Sequence, residues 1–395
     1  MSFRVSNVSR YASALDTLQQ RQAELSKAQM QMTAGKRVNV PSDDPTAAAR
    51  AERAFISQQR ITAEQRAVSV SRNAMTLVES SLGQATDLLQ SSRETLISAG
   101  NASYSPAERK ALAVQLQQLR GQLLAVANQT DGAGGYIFGG QGTTSQPFLD
   151  SPSGVTFAGT GGQGQLSVNE QMPTSVDGQQ VWLSVRSGNG VYETDAAPTN
   201  TGSAYIAPGG IADPSLLTGG NYDITFSVAA GVTSYTVNPT GQTGTYQDGG
   251  TITVDGMSLK LAGKPADGDQ FTIKPSTVGL DPFEALDRAI AVLNNPNANA
   301  GAVAQAVSNG VRDVDQVMSQ FSAARSVAGA TLSRLDSIDT RNQDRDLWAK
   351  SVQSDAEDLD MVQAVSDFQN KQTSYQAALQ SYSMVQKLSL FDYIK

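Results

Sequence analysis

The sequence predicts an α+β protein: both chain ends form a long antiparallel α-helical coiled coil or bundle, with an all-β domain inserted between them. Three observations predict it. Of 35 glycines, 28 lie between residues 131 and 280, so a turn-rich centre is flanked by segments nearly free of a residue that is costly inside helices. Both flanks carry apolar residues at heptad spacing. The ends also have opposite charge: residues 1–40 hold six basic and two acidic groups, and 355–395 hold six acidic and three basic.

Taken in order, Val8, Tyr11, Leu15, Leu18, Gln22, Leu25, Gln29 and Met32 follow a 3-4 rhythm without a break, which predicts a first helix with one narrow apolar seam. TAGKRVNVPSDDPTAAA then breaks the pattern at residues 33–49. A residue before proline is pushed to extended geometry and an aspartate there caps free N–H groups, so Asp44-Pro45 reads as a corner and a new helix start. Ile61, Val68, Met75, Leu82, Leu89 and Leu96 stand seven apart, and specify one helix from Pro45 to Ala99, ~80 Å long at about 1.5 Å per residue. SPAE opens a third helix, with Ser105 as N-cap, Pro106 in the first turn and Glu108 closing a capping box. Leu112, Leu116, Leu119, Leu123 and Val126 give it an apolar stripe, and it ends in DGAGGYIFGG.

From 141 to 280 the composition turns to Thr, Ser, Gly and alternating apolar residues. VWLSVRSGNG, YDITFSV, YTV, TITVDGMSLKL and DQFTIKP read as short strands joined by Gly-Asn, Gly-Asp and Asp-Gly turns. Helix resumes at DPFEALDRAIAVL behind the cap Asp281, and again from about 299, with Val303, Val307, Val314, Met318, Phe321, Ala328, Leu332 and Leu335 on one face. The last segment repeats the 3-4 rhythm through Met361, Val365, Phe368, Gln372, Tyr375, Leu379 and Tyr382, and closes with VQKLSLFDYIK. The expected division is a terminal coiled coil (1–42 with 350–395), a long-helix bundle (43–140 with 281–349) and a β insert (141–280), read either as one domain or as two subdomains split near 196–210.

Composition narrows the function. With no cysteine and no histidine there is no thiolate nucleophile, no Cys/His zinc site and no Ser-His-Asp relay. A net charge of −8 argues against nucleic acid as a partner, because phosphate neutralisation needs a basic surface. No run approaches the ~20 apolar residues of a membrane span, so no membrane insertion is expected. The opening MSFRVSNVSRYASALDTLQQRQ lacks the apolar core of a cleavable secretory signal.

Candidate chemical motifs have structural explanations. Asp43-Asp44 sits among Val, Pro, Ser and alanines, a poor setting for a dicarboxylate metal site. GAGGYIFGGQGT lacks the ending of a phosphate loop and follows a helix, so it reads as a helix-to-strand junction with Tyr136 and Phe138 packed inward. Asp267 and Asp269 flank a glycine as a hairpin turn would, with too few oxygens for calcium. No catalytic constellation and no cofactor site are expected. What remains is assembly. The seams of the terminal helices are too thin for an isolated helix and require a partner helix. The seam positions are Val8, Tyr11, Leu15, Leu18, Leu25, Met32, Val365, Phe368, Tyr375, Leu379, Tyr382, Leu388 and Phe391.

AGKRVNVPSDDPTAAARA at the first corner, GGYIFGG followed by Pro147-Phe148, GATLSRLDSID at 329–339 and the C-terminal LSLFDYI resemble the flagellin superfamily of bacterial axial proteins. These motifs and the helical palindrome cover some 250 residues of both flanks. The insert pattern Y-x-I-x-F … GKPADGDQFTI loosely resembles segments of the hook-associated proteins, and the opening FRVSN departs from the INTN of filament subunits, which favours the hook–filament junction branch over flagellin itself.

The resemblance implies a secreted structural protein, exported unfolded through the flagellar type III apparatus. An N-terminal segment would be the export signal, and an export chaperone would hold the C-terminal segment. A homo-oligomeric ring would contact a neighbouring hook-associated protein on the hook side and flagellin or an adjacent junction protein on the filament side. A ring of this kind would seed flagellin assembly. The alternatives are a flagellin-type filament subunit and a non-flagellar secreted coiled-coil protein.

Overall fold

A computed structural model describes residues 7–142, 144–167 and 170–391, with side chains from Tyr11 to Met384 apart from Ser167. Among these residues the helices are α1 (Asn7–Ala34), α2 (Pro45–Ala99), α3 (Pro106–Ala127), α4 (Gly178–Trp182), α5 (Pro282–Asn294), α6 (Ala300–Glu357) and α7 (Met361–Phe391). The chain divides into two compact units, one of residues 1–66 with 338–395 and one of 67–337. The long helices α2 and α6 contribute to both.

In the 67–337 unit, the heptad residues of α2 are the core. Val68, Met75, Leu82, Leu89 and Leu96 are all buried, as are Val314 and Phe321 of α6 and Leu116 and Leu123 of α3. The capping box of α3 is formed in both directions, with Ser105 N donating to Glu108 Oε2 at 2.7 Å and Glu108 N donating to Ser105 Oγ at 3.3 Å. Asp281 caps α5, accepting from Glu284 N at 2.7 Å.

The centre of this core is Trp182. Its ring lies 4.7 Å from Phe321, 5.4 Å from Phe138, 5.9 Å from Phe148 and 6.0 Å from Phe283, centroid to centroid. Beside it Arg120 of α3 bonds both oxygens of Asp150 at 2.8 and 2.9 Å and Asp287 of α5 at 2.7 Å. The two carboxylates hold the guanidinium pKa above its usual value, the Asp150 hydrogen bond being the largest cause.

Two sequence expectations are corrected here. Val181-Trp182 are helical rather than extended: Asp177 caps α4 by accepting from Gln180 N at 3.2 Å, and burial of Val181 and Trp182 overrides their β propensity. At the α3 exit Ile137 and Phe138 point inward, while Tyr136 is only half-buried; the Asp131 carboxylate turns the chain by accepting from Ala133 N at 2.7 Å and Gly135 N at 2.9 Å.

The hairpin Phe148–Ser151/Gly154–Phe157 shares the helical core through Phe148 and Val155. Residues 192–275 have a core of their own. A five-stranded antiparallel sheet runs in the order Gln242–Thr245, Val232–Asn238, Tyr222–Ala229, Gln270–Pro275, Tyr192–Ala196. A second sheet joins Thr251–Val254, Met257–Ala262 and Tyr205–Ile206, with Gly210–Ile211 also paired to Met257–Ala262. Ile224, Phe226, Phe271 and Ile273 from the first sheet meet Leu259 and Leu261 from the second.

Polar residues of α6 fasten this β core. Gln305 accepts from Ile206 N at 2.8 Å and donates to Ile206 O at 3.1 Å, behaving as an extra strand residue. The buried Arg312 donates to Thr194 O and to Asp313 Oδ1, both at 2.8 Å, and Arg288 reaches the other Asp313 oxygen at 2.8 Å.

Candidate assembly surface

The 1–66/338–395 unit holds the corner and the seam residues. Asp44 is the cap of α2. Its Oδ1 accepts from Ala47 N at 3.0 Å, Thr46 N at 3.1 Å and Thr46 Oγ1 at 2.8 Å, and its Oδ2 accepts from Arg37 at 3.2 Å. These bonds, that from Ala47 foremost, bring its pKa down to about 2. Pro45 is the first residue of the helix, where a missing N–H costs nothing. Asp43 faces the other way: Lys27 of α1 at 2.8 Å, then Asn39 N and Val40 N at 3.1 and 3.2 Å, lower its pKa and close the loop onto α1. The oxygens of both aspartates are occupied by the corner itself. Asp269 of the β insert is likewise filled, accepting from Thr201 N, Gly202 N and Ala266 N at 2.8–3.1 Å.

This corner mates with a second one, between α6 and α7. Gly35 ends α1 with φ +69°, a left-handed conformation that favours glycine, and its carbonyl accepts from Leu359 N at 3.0 Å. Arg37 N donates to Glu357 O at 2.7 Å, the Arg37 guanidinium to Ala356 O at 2.8 Å, and Lys36 pairs with Glu357 at 2.9 Å. Asp360 caps α7, accepting from Val362 N at 2.9 Å and Gln363 N at 3.2 Å. The sequence reading missed this second corner; its signal is an aspartate one residue before a resumed heptad, in DLDMV.

Beyond the corners α1 and α7 run antiparallel. Tyr11 and Tyr382 meet with hydroxyls 2.5 Å apart and ring centroids at 5.5 Å. The predicted seam splits into two classes. Leu18, Leu25, Met32, Phe368, Tyr375 and Tyr382 are half-buried. Tyr11, Leu15, Val365 and Leu379 stay between 37 and 41% exposed. Val8, Leu388 and Phe391 fall on α1 and α7, but outside the residues with described side chains. Among the described side chains of the two helices Ala28 alone is buried. The contrast with α2 is sharp, since its heptad residues are at most 2% exposed from Ile61 to Leu96. Among the described residues, no helix is long and apolar enough to cross a membrane.

The model of the bacterial flagellin N-terminal helical region matches residues 5–143, and that of the flagellin C-terminal helical region matches 311–394. Between them, the D2-like domain of flagellar hook-associated protein 1 matches 196–275, the stretch with its own core. Flagellar hook-associated protein 3 of Salmonella typhimurium (strain LT2) is 27% identical over 394 residues, 98% of this chain and 98% of its own length. The crystal structure of FlgL from Xanthomonas campestris superposes with a TM-score of 0.69 at 30% identity, covering 77% of this chain and 99% of that one. The flagellar junction protein FlgL from Legionella pneumophila gives 0.68 at 27% identity, covering 78% and 100%. The chain therefore belongs to the FlgL, or hook-associated protein 3, family, and its helical flanks are flagellin-like.

Proposed function

We propose that this chain is a structural subunit of the extracellular flagellum that joins hook to filament, and that it does so through α1 and α7. The observation that carries the proposal is the half-buried seam. Two antiparallel helices cover one side of each other's stripe and leave Tyr11, Leu15, Val365 and Leu379 some 40% exposed. A stripe of this kind is stable once neighbouring helices cover its other side. Terminal helices that complete their burial on assembly stay threadable for export and do not polymerise prematurely.

On this reading residues 1–42 with 350–395 form the inner wall of a homo-oligomeric ring, 43–140 with 281–349 the outer wall, and 141–280 a surface domain. A neighbouring hook-associated protein lies on one side, and flagellin or an adjacent junction protein on the other. An export chaperone holds the C-terminal segment before assembly. The role is structural rather than catalytic: the carboxylates that could suggest chemistry, Asp43, Asp44 and Asp269, are each filled by backbone amides or paired cations.

Electron microscopy of the purified chain with isolated hooks and with filament fragments tests this. The expected result is a short, self-limiting addition at hook ends that then accepts flagellin. Long filaments grown from this chain alone would make it a filament subunit instead, and no addition to either seed would remove the axial role.

A further inference from the structure

The surfaces considered so far lie on α1 and α7, but the same unit carries a second apolar pair further along. The chain has two tryptophans: Trp182 is fully buried, whereas Trp348 on α6 is 69% exposed, with Leu347 beside it equally open. One turn before Trp348 stands the exposed Asp344, and two turns after it the exposed Asp355. A tryptophan presented this way is an unusual expense on a free surface, and large aromatics at such sites are enriched among interface anchors.

The complement of this knob is on the same chain. Behind the first corner lies an open groove of about 620 Å³, walled by Val40, Pro41, Ala48 and Phe55, with Gln353 and Glu357 of α6 along its other side. Val40 and Phe55 are close to half exposed there. The walls are held by Lys36–Glu357 at 2.9 Å and by Gln58–Gln353 at 2.7 Å, so the groove is set by the corner and not by its contents. Gln353 and Glu357 follow Trp348 by five and nine residues. At about 100° per residue they point roughly 140° and 180° away from it. Knob and groove therefore face opposite sides of one continuous helix, and no rearrangement short of breaking α6 brings them together within a chain.

We propose that Trp348, with Leu347, seats in the Val40/Phe55 groove of a neighbouring copy of this chain. A second copy is the occupant because each chain supplies both halves. Knob on one side and groove on the other make a heterologous, head-to-tail contact, the kind that closes a ring when its rotation permits. The inference rests on the reading of the chain as an assembling subunit. It adds a lateral contact, distinct from the α1/α7 seam, that fixes each subunit against the next.

The absence of cysteine makes the test direct. Glu52→Cys at the groove rim and Ser351→Cys one turn from Trp348 leave the apolar contact residues Val40, Phe55, Leu347 and Trp348 unchanged. The two full-length variants are mixed, allowed to add to isolated hooks, and treated with a short bismaleimide crosslinker, while electron microscopy follows assembly independently. The expected product is a crosslinked dimer found only in the mixture and retained when Trp348→Phe is added to the Ser351→Cys chain. Trp348→Ala, at an exposed position that spares the fold, should lower its yield by roughly tenfold or more. Assembly at hook ends without the mixed crosslink overturns the inference and leaves the junction reading standing. Crosslinking of Ser351→Cys alone, or a yield indifferent to Trp348→Ala, also overturns it. If neither assembly nor crosslink forms, both readings fall together.

Discussion

Leu379 is the position where the assembly reading is most exposed to test. It lies on the α7 seam and is 41% exposed in the single chain. Full burial of a leucine contributes about 1.5–3 kcal/mol, so covering the remaining two-fifths contributes roughly 1 kcal/mol per subunit on assembly. Leu379→Asp removes that gain and adds the cost of enclosing a carboxylate without a partner, about 2 kcal/mol or more. The total of about 3 kcal/mol corresponds to a hundredfold or greater loss of affinity for the growing end. In the free subunit the same aspartate faces water, and the 67–337 unit does not contain it. Addition to isolated hooks, titrated against subunit concentration, should show the hundredfold shift. Thermal unfolding of the core around Trp182 should stay within about 1 °C of the unsubstituted chain. Addition at unchanged concentration would refute the claim that this seam is buried on assembly, and a large drop in melting temperature would mean that Leu379 supports the fold instead.

Other consequences follow from the same structure. Limited proteolysis of the free subunit should remove roughly residues 1–40 and 355–395 and leave a stable middle, as read by mass spectrometry; full-length resistance would contradict the account of the terminal helices. Trp182→Ala should destabilise the 67–337 unit by about 3–5 kcal/mol in denaturant titration, since it empties the centre of an aromatic cluster. Asp44 has its folded pKa depressed to about 2, so the stability it confers is fully present above the ordinary carboxylate range and is lost as pH falls through about 2. Its carboxylate resonance should titrate near pH 2, and a midpoint near 4 would mean that the cap and the Arg37 bond are not formed in solution. Replacing Arg312 by Ala should cost about 2–3 kcal/mol, because buried Asp313 keeps Arg288 but loses one of its two cations and Thr194 O loses its donor, with the loss read in thermal unfolding.

The helical flanks were legible because period is a local property. Six apolar residues at sevenfold spacing from Ile61 to Leu96 named the buried face of α2, and Ser105, Asp44 and Asp281 announced their helices by residue type alone. The glycine census separated helix from sheet for the same reason. What stayed hidden depends on contacts between residues far apart in the chain. Phe138, Phe148, Trp182, Phe283 and Phe321 form one cluster, so the segment around Trp182 joins the helical core as a short helix although its own pattern reads as strand. Gln305, Asn309 and Arg312 look like a solvated face of α6 until the β core is placed against them. At the assembly surface the sequence gives the stripe but not the degree of cover. Nothing in the spacing of Leu15 or Leu379 distinguishes them from Leu82, yet the first two are open and the last is sealed. Trp348 escaped the periodic reading because it belongs to no stripe.

Hydrogen exchange on the full chain, free and after addition to isolated hooks, tests the central claim most directly. In the free subunit, amides of residues 7–34 and 361–391 should exchange rapidly while those of α2 around Leu82 and Leu89 exchange slowly. On hook ends the terminal segments should become protected to a degree approaching that of α2. Terminal helices equally protected in both states would contradict the proposal that assembly completes their burial.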